Sequence, residues 1–163
     1  MPVDPLNTLA YRRARFTTRL PLDRLYTVSH YWLLQVAPGT WRIGLTKFAT
    51  RMLGDLVEIN FSLATGDPLA LGQTIGSIEG FKAISDLFGV AAGSFAGGNP
   101  ALQDDPTLVD CDPYDQGWLY EVRGEPDPVA VDAHGYAAVL DSIIDKLQEA
   151  SATRDGEENC PRS

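Results

Sequence analysis

The chain has 163 residues, a formal net charge of -9 and 44% hydrophobic residues. This length predicts one domain that is large enough to bury a core of its own. An acidic balance argues against nucleic-acid binding, which depends on neutralising phosphates. No apolar run is long enough to cross a membrane. The first residues lack the charged and then apolar pattern of a secretory signal, so we expect a cytoplasmic protein.

Positive charge is concentrated at the N-terminus. Residues 1–25 carry five arginines against two aspartates, a net charge of +3 that leaves -12 for the rest of the chain. We interpret residues 1–24 as a basic N-terminal extension laid over an acidic domain that spans residues 25–149. The alternative is that these arginines form a docking element. Residues 150–163 have the polar composition of a disordered tail.

The first predicted elements of the domain are a hairpin and a short helix. Residues 31–36 and 40–45 flank the turn pair Pro38-Gly39, which predicts a hairpin of two paired strands. Thr46 can cap a helix that ends at Leu53, just before Gly54.

The middle of the chain reads as further short strands. Residues 56–63 alternate apolar and polar side chains, as a half-buried strand does. Residues 69–79 and 83–90 predict two more strands. The segment 93–99 is glycine-rich and predicts a loop at Gly97-Gly98-Asn99, and residues 100–109 predict a short helix.

A last strand over residues 118–122 precedes a C-terminal helix, which has the clearest pattern in the chain. Asp132 can cap this helix, and its apolar side chains recur at helical spacing on one face. We expect that face to pack against the β core. Its members are Tyr136, Val139, Leu140, Ile143, Ile144 and Leu147.

Lys82 carries the strongest functional signal. It is one of only three lysines and lies between two predicted strands, which places a primary amine at the tip of a β-hairpin. A lysine held in this way can carry a covalent swinging arm that does the chemistry. A lysine in a turn can also be no more than a solvated charge, so the surrounding sequence must decide.

Five motifs in the chain occur in a fixed order. The segment around the lysine, residues 76–87, reads Gly-Ser-Ile-Glu-Gly-Phe-Lys-Ala-Ile-Ser-Asp-Leu. It resembles the lipoyl-lysine hairpin of the glycine cleavage system H protein family, whose pattern is Glu-Ser-hydrophobic-Lys-Ala followed by Ser-Asp. The other four motifs also resemble that family, and the match runs from about Leu25 to about Leu147. They lie at residues 26–32, 43–49, 53–57 and 108–119.

The resemblance implies a mainly β fold, a barrel-sandwich hybrid of the lipoyl/biotinyl type. In this fold two antiparallel sheets carry peripheral helices and a C-terminal helix. It further implies a non-catalytic carrier with lipoic acid attached to Lys82. In glycine cleavage such an arm shuttles the aminomethyl group. The implied partners are glycine decarboxylase (a pyridoxal-phosphate enzyme), an aminomethyltransferase, dihydrolipoyl dehydrogenase and a lipoylating enzyme.

The resemblance also implies roles for residues near the lysine. Glu79 and Asp86 bracket Lys82 and are expected to help the lipoylating enzyme to recognise the hairpin. Asp86 and Ser29 match positions in the cleft that receives the loaded arm, whereas His30 is expected to be structural. The sequence predicts no catalytic residue. It also predicts no metal site, because the two cysteines have no paired spacing.

Three departures from the family pattern leave the pathway open. Tyr31 stands where the family has a glutamate that is thought to hold the amine of the loaded arm. Gly80 replaces a serine, and Phe81 replaces a smaller aliphatic residue. One alternative is an H-like lipoate-binding protein that serves sulfur oxidation or a lipoyl relay. Another is an unmodified interaction domain of the same fold.

Overall fold

The computed structural model describes residues 3–150. Residues 151–163 of the predicted disordered tail lie outside the described residues. The described strands are β1 (Thr8–Arg13), β2 (Phe16–Pro21), β3 (Leu25–Tyr26), β4 (Tyr31–Ala37), β5 (Thr40–Leu45), β6 (Leu56–Phe61), β7 (Pro68–Leu69), β8 (Thr74–Gly80), β9 (Ile84–Phe88), β10 (Ala91–Gly98) and β11 (Tyr120–Pro126). The α-helices are α1 (Lys47–Leu53), α2 (Ala101–Asp104), α3 (Leu108–Cys111) and α4 (Ala133–Ala150), and a 3-10 helix covers Pro5–Asn7.

Two antiparallel sheets form the body of the domain. One has six strands in the order β3-β4-β5-β11-β10-β7, and the other has three in the order β6-β8-β9. Their facing apolar side chains form the main core, in which Leu33, Ile43, Ile75 and Val122 are fully buried. The predicted mainly β fold with two antiparallel sheets and a C-terminal helix is thus confirmed.

The predicted helix caps are also confirmed. The Thr46 hydroxyl accepts a hydrogen bond from the Ala49 backbone N–H at 3.4 Å, at the N-terminus of α1. The Asp132 carboxylate accepts one from the Gly135 N–H at 2.8 Å, at the start of α4. Such caps satisfy N–H groups that have no partner inside the helix. The predicted apolar face of α4 is buried through Tyr136, Leu140 and Ile144, but its last member, Leu147, is 42% exposed.

The predicted loop at residues 97–99 is wrong for Gly97 and Gly98, because both belong to β10. Gly93 pairs with Gly124 of β11, and the two backbones approach so closely that a Cβ on Gly93 would lie 1.9 Å from the Arg123 carbonyl oxygen. Glycine is required here by strand contact rather than by a turn. A bulge between Phe95 and Gly97 then bends the strand.

Three other boundaries differ from the prediction. The helix over residues 100–109 is two short helices, α2 and α3, with Pro106 between them. The strand over residues 69–79 is interrupted by a turn at Gly72, so β7 and β8 join different sheets. The last strand begins at Tyr120 and continues to Pro126 because it pairs with β10 over that length.

The N-terminal residues form a β-hairpin, β1-β2, that the sequence analysis did not predict. Its inward side chains Tyr11, Phe16 and Leu20 are buried in a second core, together with Trp32, Phe48 and the α4 side chains Tyr136, Leu140 and Ile144. Tyr11 and Arg13 also bind α4 through the carboxylates of Asp141 and Asp145. The hairpin is therefore packed on the domain.

Within residues 3–150, no helix is both long enough and apolar enough to span a membrane.

Candidate lipoyl-attachment site

Lys82 lies at the tip of the β8-β9 hairpin, as predicted. The last residue pair of the ladder is Glu79 with Ile84, and the Gly80 N–H donates to the Ala83 carbonyl at 2.9 Å to close the loop. The loop residues Phe81, Lys82 and Ala83 are all exposed. The lysine side chain is therefore presented to solvent by a short, hydrogen-bonded turn.

The tip is held against the end of α1 by two backbone hydrogen bonds. The Lys82 N–H donates to the Leu53 carbonyl at 2.8 Å, and the Phe81 N–H donates to the Asp55 carbonyl at 3.0 Å. These bonds connect the hairpin tip to the segment between α1 and β6. The backbone at Lys82 is thus fixed from a second direction, so the position of the amine does not depend on the hairpin alone.

Steric crowding at the hairpin tip explains why residue 80 is a glycine. A Cβ built on it would lie 2.2 Å from the Leu53 carbonyl oxygen, far inside van der Waals contact. The close approach of Gly80 to Leu53 accompanies the hydrogen bond from Lys82 to the same carbonyl. In this chain, Gly80 in place of the family serine therefore allows the close backbone contact with Leu53 that holds Lys82.

The Lys82 amine is available for modification. Its Nζ makes one long hydrogen bond, 3.5 Å to the Arg51 carbonyl oxygen, and forms no ion pair with the described residues. Lys47, in contrast, is largely buried and pairs with Asp110. Lys146 is exposed on α4, away from any turn. Of the three lysines, Lys82 has the geometry that suits covalent attachment of lipoate.

The predicted recognition residues Glu79 and Asp86 lie on the two strands of the lysine hairpin. Glu79 is half-buried and pairs across the sheet with Glu58 and with Ile84. Asp86 is exposed and pairs with Ser77. Neither carboxylate forms an ion pair with Lys82 within the described residues.

Tyr31 joins the two main sheets beside this hairpin. It begins β4, is only 3% exposed, and its hydroxyl accepts a hydrogen bond from the Phe88 N–H of β9 at 3.1 Å. Burial raises the pKa of the Tyr31 hydroxyl, the Phe88 N–H lowers it, and the nearby Asp86 carboxylate raises it further. The residue at the family's glutamate position is therefore a neutral, buried phenol that contacts the edge of β9.

Ser29 lies in the turn that leads into Tyr31. It is exposed, and its hydroxyl shares a hydrogen bond of 2.9 Å with the Thr27 hydroxyl. Ser29 precedes Tyr31 by two residues, and Asp86 precedes Phe88 by two. The two predicted cleft residues thus flank the contact between Tyr31 and Phe88, although no direct contact joins either to Lys82 within the described part of the chain.

His30 has a structural role. Its ring Nδ1 lies 2.7 Å from the Tyr136 hydroxyl, which in turn lies 2.8 Å from the Thr46 hydroxyl. Burial lowers the pKa of His30 to about 4, so its imidazole is neutral at pH 7. The backbone of His30 has a positive φ of 74°. The hydrogen bond between His30 and Tyr136 therefore connects the turn before β4 to the C-terminal helix α4.

A pocket lies apart from Lys82. It has a volume of about 350 Å³ and is lined by apolar side chains of β6, β10 and α2, including Phe61, Phe95 and Leu102. None of Lys82, Glu79, Asp86 and Ser29 lines it. Residues 3–150 also contain no group of three or more His, Cys, Asp and Glu side chains arranged to hold a metal ion. The candidate site at Lys82 therefore lies on the exposed surface and not in this pocket.

The chain is similar to known proteins over most of its length. The family model described as "Glycine cleavage H-protein" matches residues 24–134. A glycine cleavage system H protein of Listeria monocytogenes serotype 4b is 38% identical over 125 residues, which are 75% of this chain and 98% of the relative. One from Mycobacteroides abscessus is 35% identical over 138 residues, 85% of this chain and 97% of the relative.

A solved structure shows the same relationship. The crystal structure of a glycine cleavage system H protein from Mycobacterium marinum superposes with a TM-score of 0.68 at 35% identity. It covers 75% of this chain, and 99% of that chain is matched. The chain therefore belongs to the glycine cleavage H-protein family, whose members carry lipoate as components of the glycine cleavage system and are not themselves catalysts.

Proposed function

We propose that Lys82 is the lipoyl-attachment residue and that the arm carries the aminomethyl group of glycine between enzymes. The observation that carries this proposal is the amine itself: it is exposed at a hairpin tip that two backbone hydrogen bonds hold in place. The partners are glycine decarboxylase, the aminomethyltransferase and dihydrolipoyl dehydrogenase. A cytoplasmic location, expected from the sequence, stays a prediction.

The chain's own residues present and position the arm. A lipoyl group on Lys82 would supply the disulfide that accepts the aminomethyl group and is later regenerated by oxidation. The protein holds the root of the arm through Leu53 and Asp55, and tethering replaces free diffusion by a high effective concentration at each partner. Glu79 and Asp86 bracket the lysine for recognition by a lipoylating enzyme, and Ser29 lies beside the Tyr31 contact.

The test is mass analysis of the protein after co-expression with a lipoylating enzyme and lipoate. We expect one lipoyl adduct, confined to Lys82. Lys82→Arg should abolish the adduct, whereas the matched variant Lys146→Arg should retain it. Glycine-dependent loading of the purified carrier by its cognate decarboxylase should then add an aminomethyl group. An adduct on Lys47 or Lys146, or none while a known H protein is modified in parallel, overturns the assignment.

A second function is favoured by Tyr31 alone. A buried phenol cannot pair with the ammonium group of a loaded arm as a carboxylate does. An H-like carrier that serves another pathway, such as sulfur oxidation or a lipoyl relay, has no need of that carboxylate. A lipoylated protein that is not loaded by glycine and decarboxylase would establish this alternative, and an unmodified protein would leave an interaction domain.

A further inference from the structure

Lys82 caps the C-terminal end of helix α1. The last four carbonyl groups of an α-helix have no partner inside the helix, and in α1 these belong to residues 50–53. The Leu53 carbonyl accepts the Lys82 backbone N–H at 2.8 Å, and the Arg51 carbonyl accepts a hydrogen bond from Lys82 Nζ at 3.5 Å. One residue of the hairpin therefore contacts two of these four carbonyls, one through its backbone and one through its amine.

Gly54 leaves room for the Lys82 side chain at this helix end. It follows α1 directly, and its N–H donates to the Thr50 carbonyl at 3.0 Å. A Cβ built on Gly54 would lie 2.8 Å from Cγ of Lys82 and 3.3 Å from its Cβ. The aliphatic stem of the lysine therefore crosses the helix end over the position where any other residue has a side chain.

The ordinary role of a glycine at a helix end does not explain this contact. Helices commonly end in a glycine with a positive φ, and Gly54 has a φ of 78°. Gly72 has almost the same φ, 77°, but nothing lies within 4 Å of the position that its Cβ would occupy. At Gly54, in contrast, the three nearest atoms all belong to Lys82. Contact with the lysine is thus a second and separate reason for glycine at position 54.

We propose that Gly54 is a positioning residue for the acylation of Lys82: because it has no side chain, the lysine stem lies across the end of α1 and directs its amine toward the Arg51 carbonyl. This inference rests on the proposed function of Lys82. The hairpin determines where the lysine backbone lies, whereas Gly54 determines the direction of the side chain. A lysine stem is flexible, and reaction rates depend strongly on how the reacting groups are oriented.

Acylation changes the charge at this helix end. The ammonium group loses one proton, and Nζ then attacks the carboxyl carbon of an activated acid, a mixed anhydride with a phosphate. A C–N bond forms, the bond from that carbon to the phosphate oxygen breaks, the phosphate leaves with the electron pair, and a second proton is released. The resulting amide is neutral, so it does not interact with the carbonyls of the helix end as a cation does. The contact that directs the free amine is therefore weakened once the arm is attached.

The test compares Gly54→Ala with Gly72→Ala, a matched control that has nearly the same φ and open space for the added methyl group. Lipoylation of the full chain is measured with a lipoylating enzyme, lipoate and ATP, and kcat and KM for the carrier are determined separately. Gly54→Ala should lower kcat about tenfold, because a displaced stem misaligns the amine. Its KM should stay within about twofold, since the exposed loop residues Phe81 and Ala83 are unaltered. Gly72→Ala should leave both values within about twofold of the parent.

A small acylating reagent separates positioning from loss of the exposed tip. Acetic anhydride needs only an accessible amine, so the ratio of labelling at Lys82 to labelling at Lys146, measured by peptide mass, should not fall in Gly54→Ala. A fall in this ratio together with kcat overturns the proposal, because the tip would then no longer be exposed. Equal kcat values for Gly54→Ala and Gly72→Ala overturn it as well, even if Lys82 is modified normally. Failure of the unaltered protein to become lipoylated overturns the proposed function instead.

The unaltered protein offers a second measurement that does not depend on how a variant folds. NMR of the unmodified full chain should show a nuclear Overhauser effect between the α protons of Gly54 and the γ protons of Lys82, because the lysine stem lies against this glycine. Absence of this effect in the folded protein overturns the proposed position of the stem, whatever the two glycine variants do.

Discussion

The Tyr31 hydroxyl accepts a hydrogen bond from the Phe88 backbone N–H at 3.1 Å, and this bond connects the six-stranded sheet to the edge strand of the lysine hairpin. An edge strand has N–H groups that need partners outside its sheet. Tyr31 supplies one such partner from within the main core. At the position where the family has a carboxylate, this chain thus has a tyrosine that connects the two sheets.

Tyr31→Phe should destabilise the protein. It removes the acceptor of the Phe88 N–H without changing the ring, and a buried polar group left without its partner costs about 1–3 kcal/mol. Chemical denaturation should show this loss in the free energy of unfolding. Lipoylation of Lys82 should persist, because Lys82 is held by Leu53 and its neighbours.

Tyr120→Phe is the control for that prediction. The Tyr120 hydroxyl is buried near the Val90 backbone but makes no well-formed hydrogen bond with the described residues. Its removal should change the free energy of unfolding by less than about 1 kcal/mol. If Tyr31→Phe is as stable as Tyr120→Phe, the bond to Phe88 contributes nothing.

His30 should make stability depend on pH. Its pKa is about 4 in the folded protein, lowered by burial from an ordinary 6.5, so the unfolded chain binds more protons between these values. The stabilisation is complete above pH 6.5 and is lost as the pH falls toward 4. The loss should reach roughly 3 kcal/mol, at about 1.4 kcal/mol per pKa unit.

His30→Asn tests this pH dependence. Asparagine tolerates the positive φ of 74° at this position and does not titrate. Unfolding by urea at pH 7 and pH 4.5 should show a smaller difference for the variant than for the parent protein. Carboxylates contribute equally to both proteins, so the difference between them isolates the imidazole. Parallel pH profiles would show that His30 is protonated as readily in the folded state as in the unfolded state.

The N-terminal hairpin should be held by apolar packing more than by its ion pairs. Leu20 is fully buried in the second core, and Leu20→Ala should cost about 2–5 kcal/mol. Arg13 binds Asp145 through two nitrogens, but both side chains are well exposed, so Arg13→Ala should cost far less. Thermal unfolding of the two variants compares these contributions, and a larger loss for Arg13→Ala would reverse their order.

Elements formed by residues that are close in sequence could be predicted, whereas elements that depend on residues far apart in sequence could not. The β4-β5 hairpin, the capped helix α1 and the lysine hairpin follow from neighbouring residues, and all are found where expected. Local composition indicates a loop at Gly97 and Gly98 because it cannot reveal that they pair with Glu121 and Tyr120 of β11. The spacing of Leu9 and Tyr11 by two positions, and of Phe16 and Leu20 by four, is the strand-like signal from which the N-terminal hairpin could have been predicted. Its burial depends on α4, more than a hundred residues away in sequence.

The candidate site likewise contains one residue that its local motif identifies and one whose role depends on a distant contact. Lys82 could be identified from its motif, and its exposure is confirmed. The role of Tyr31 could not be predicted, because its partner is a backbone N–H of a strand in the other sheet. Tyrosine at position 31 therefore supplies a contact that only the folded structure reveals.

Gly80→Ser should disturb the lysine tip, although serine is the family's usual residue there. The added Cβ would lie 2.2 Å from the Leu53 carbonyl oxygen, which is backbone and cannot rotate away. The clash should displace the loop, weaken the hydrogen bond from the Lys82 N–H, and cost about 1–3 kcal/mol. Ala83→Ser, in the same loop but exposed, is the matched control and should be neutral. Hydrogen exchange at the Lys82 amide measures the effect directly, because this amide should exchange faster only in Gly80→Ser. Equal exchange in both variants would mean that the tip adapts to a side chain at position 80 without releasing Lys82.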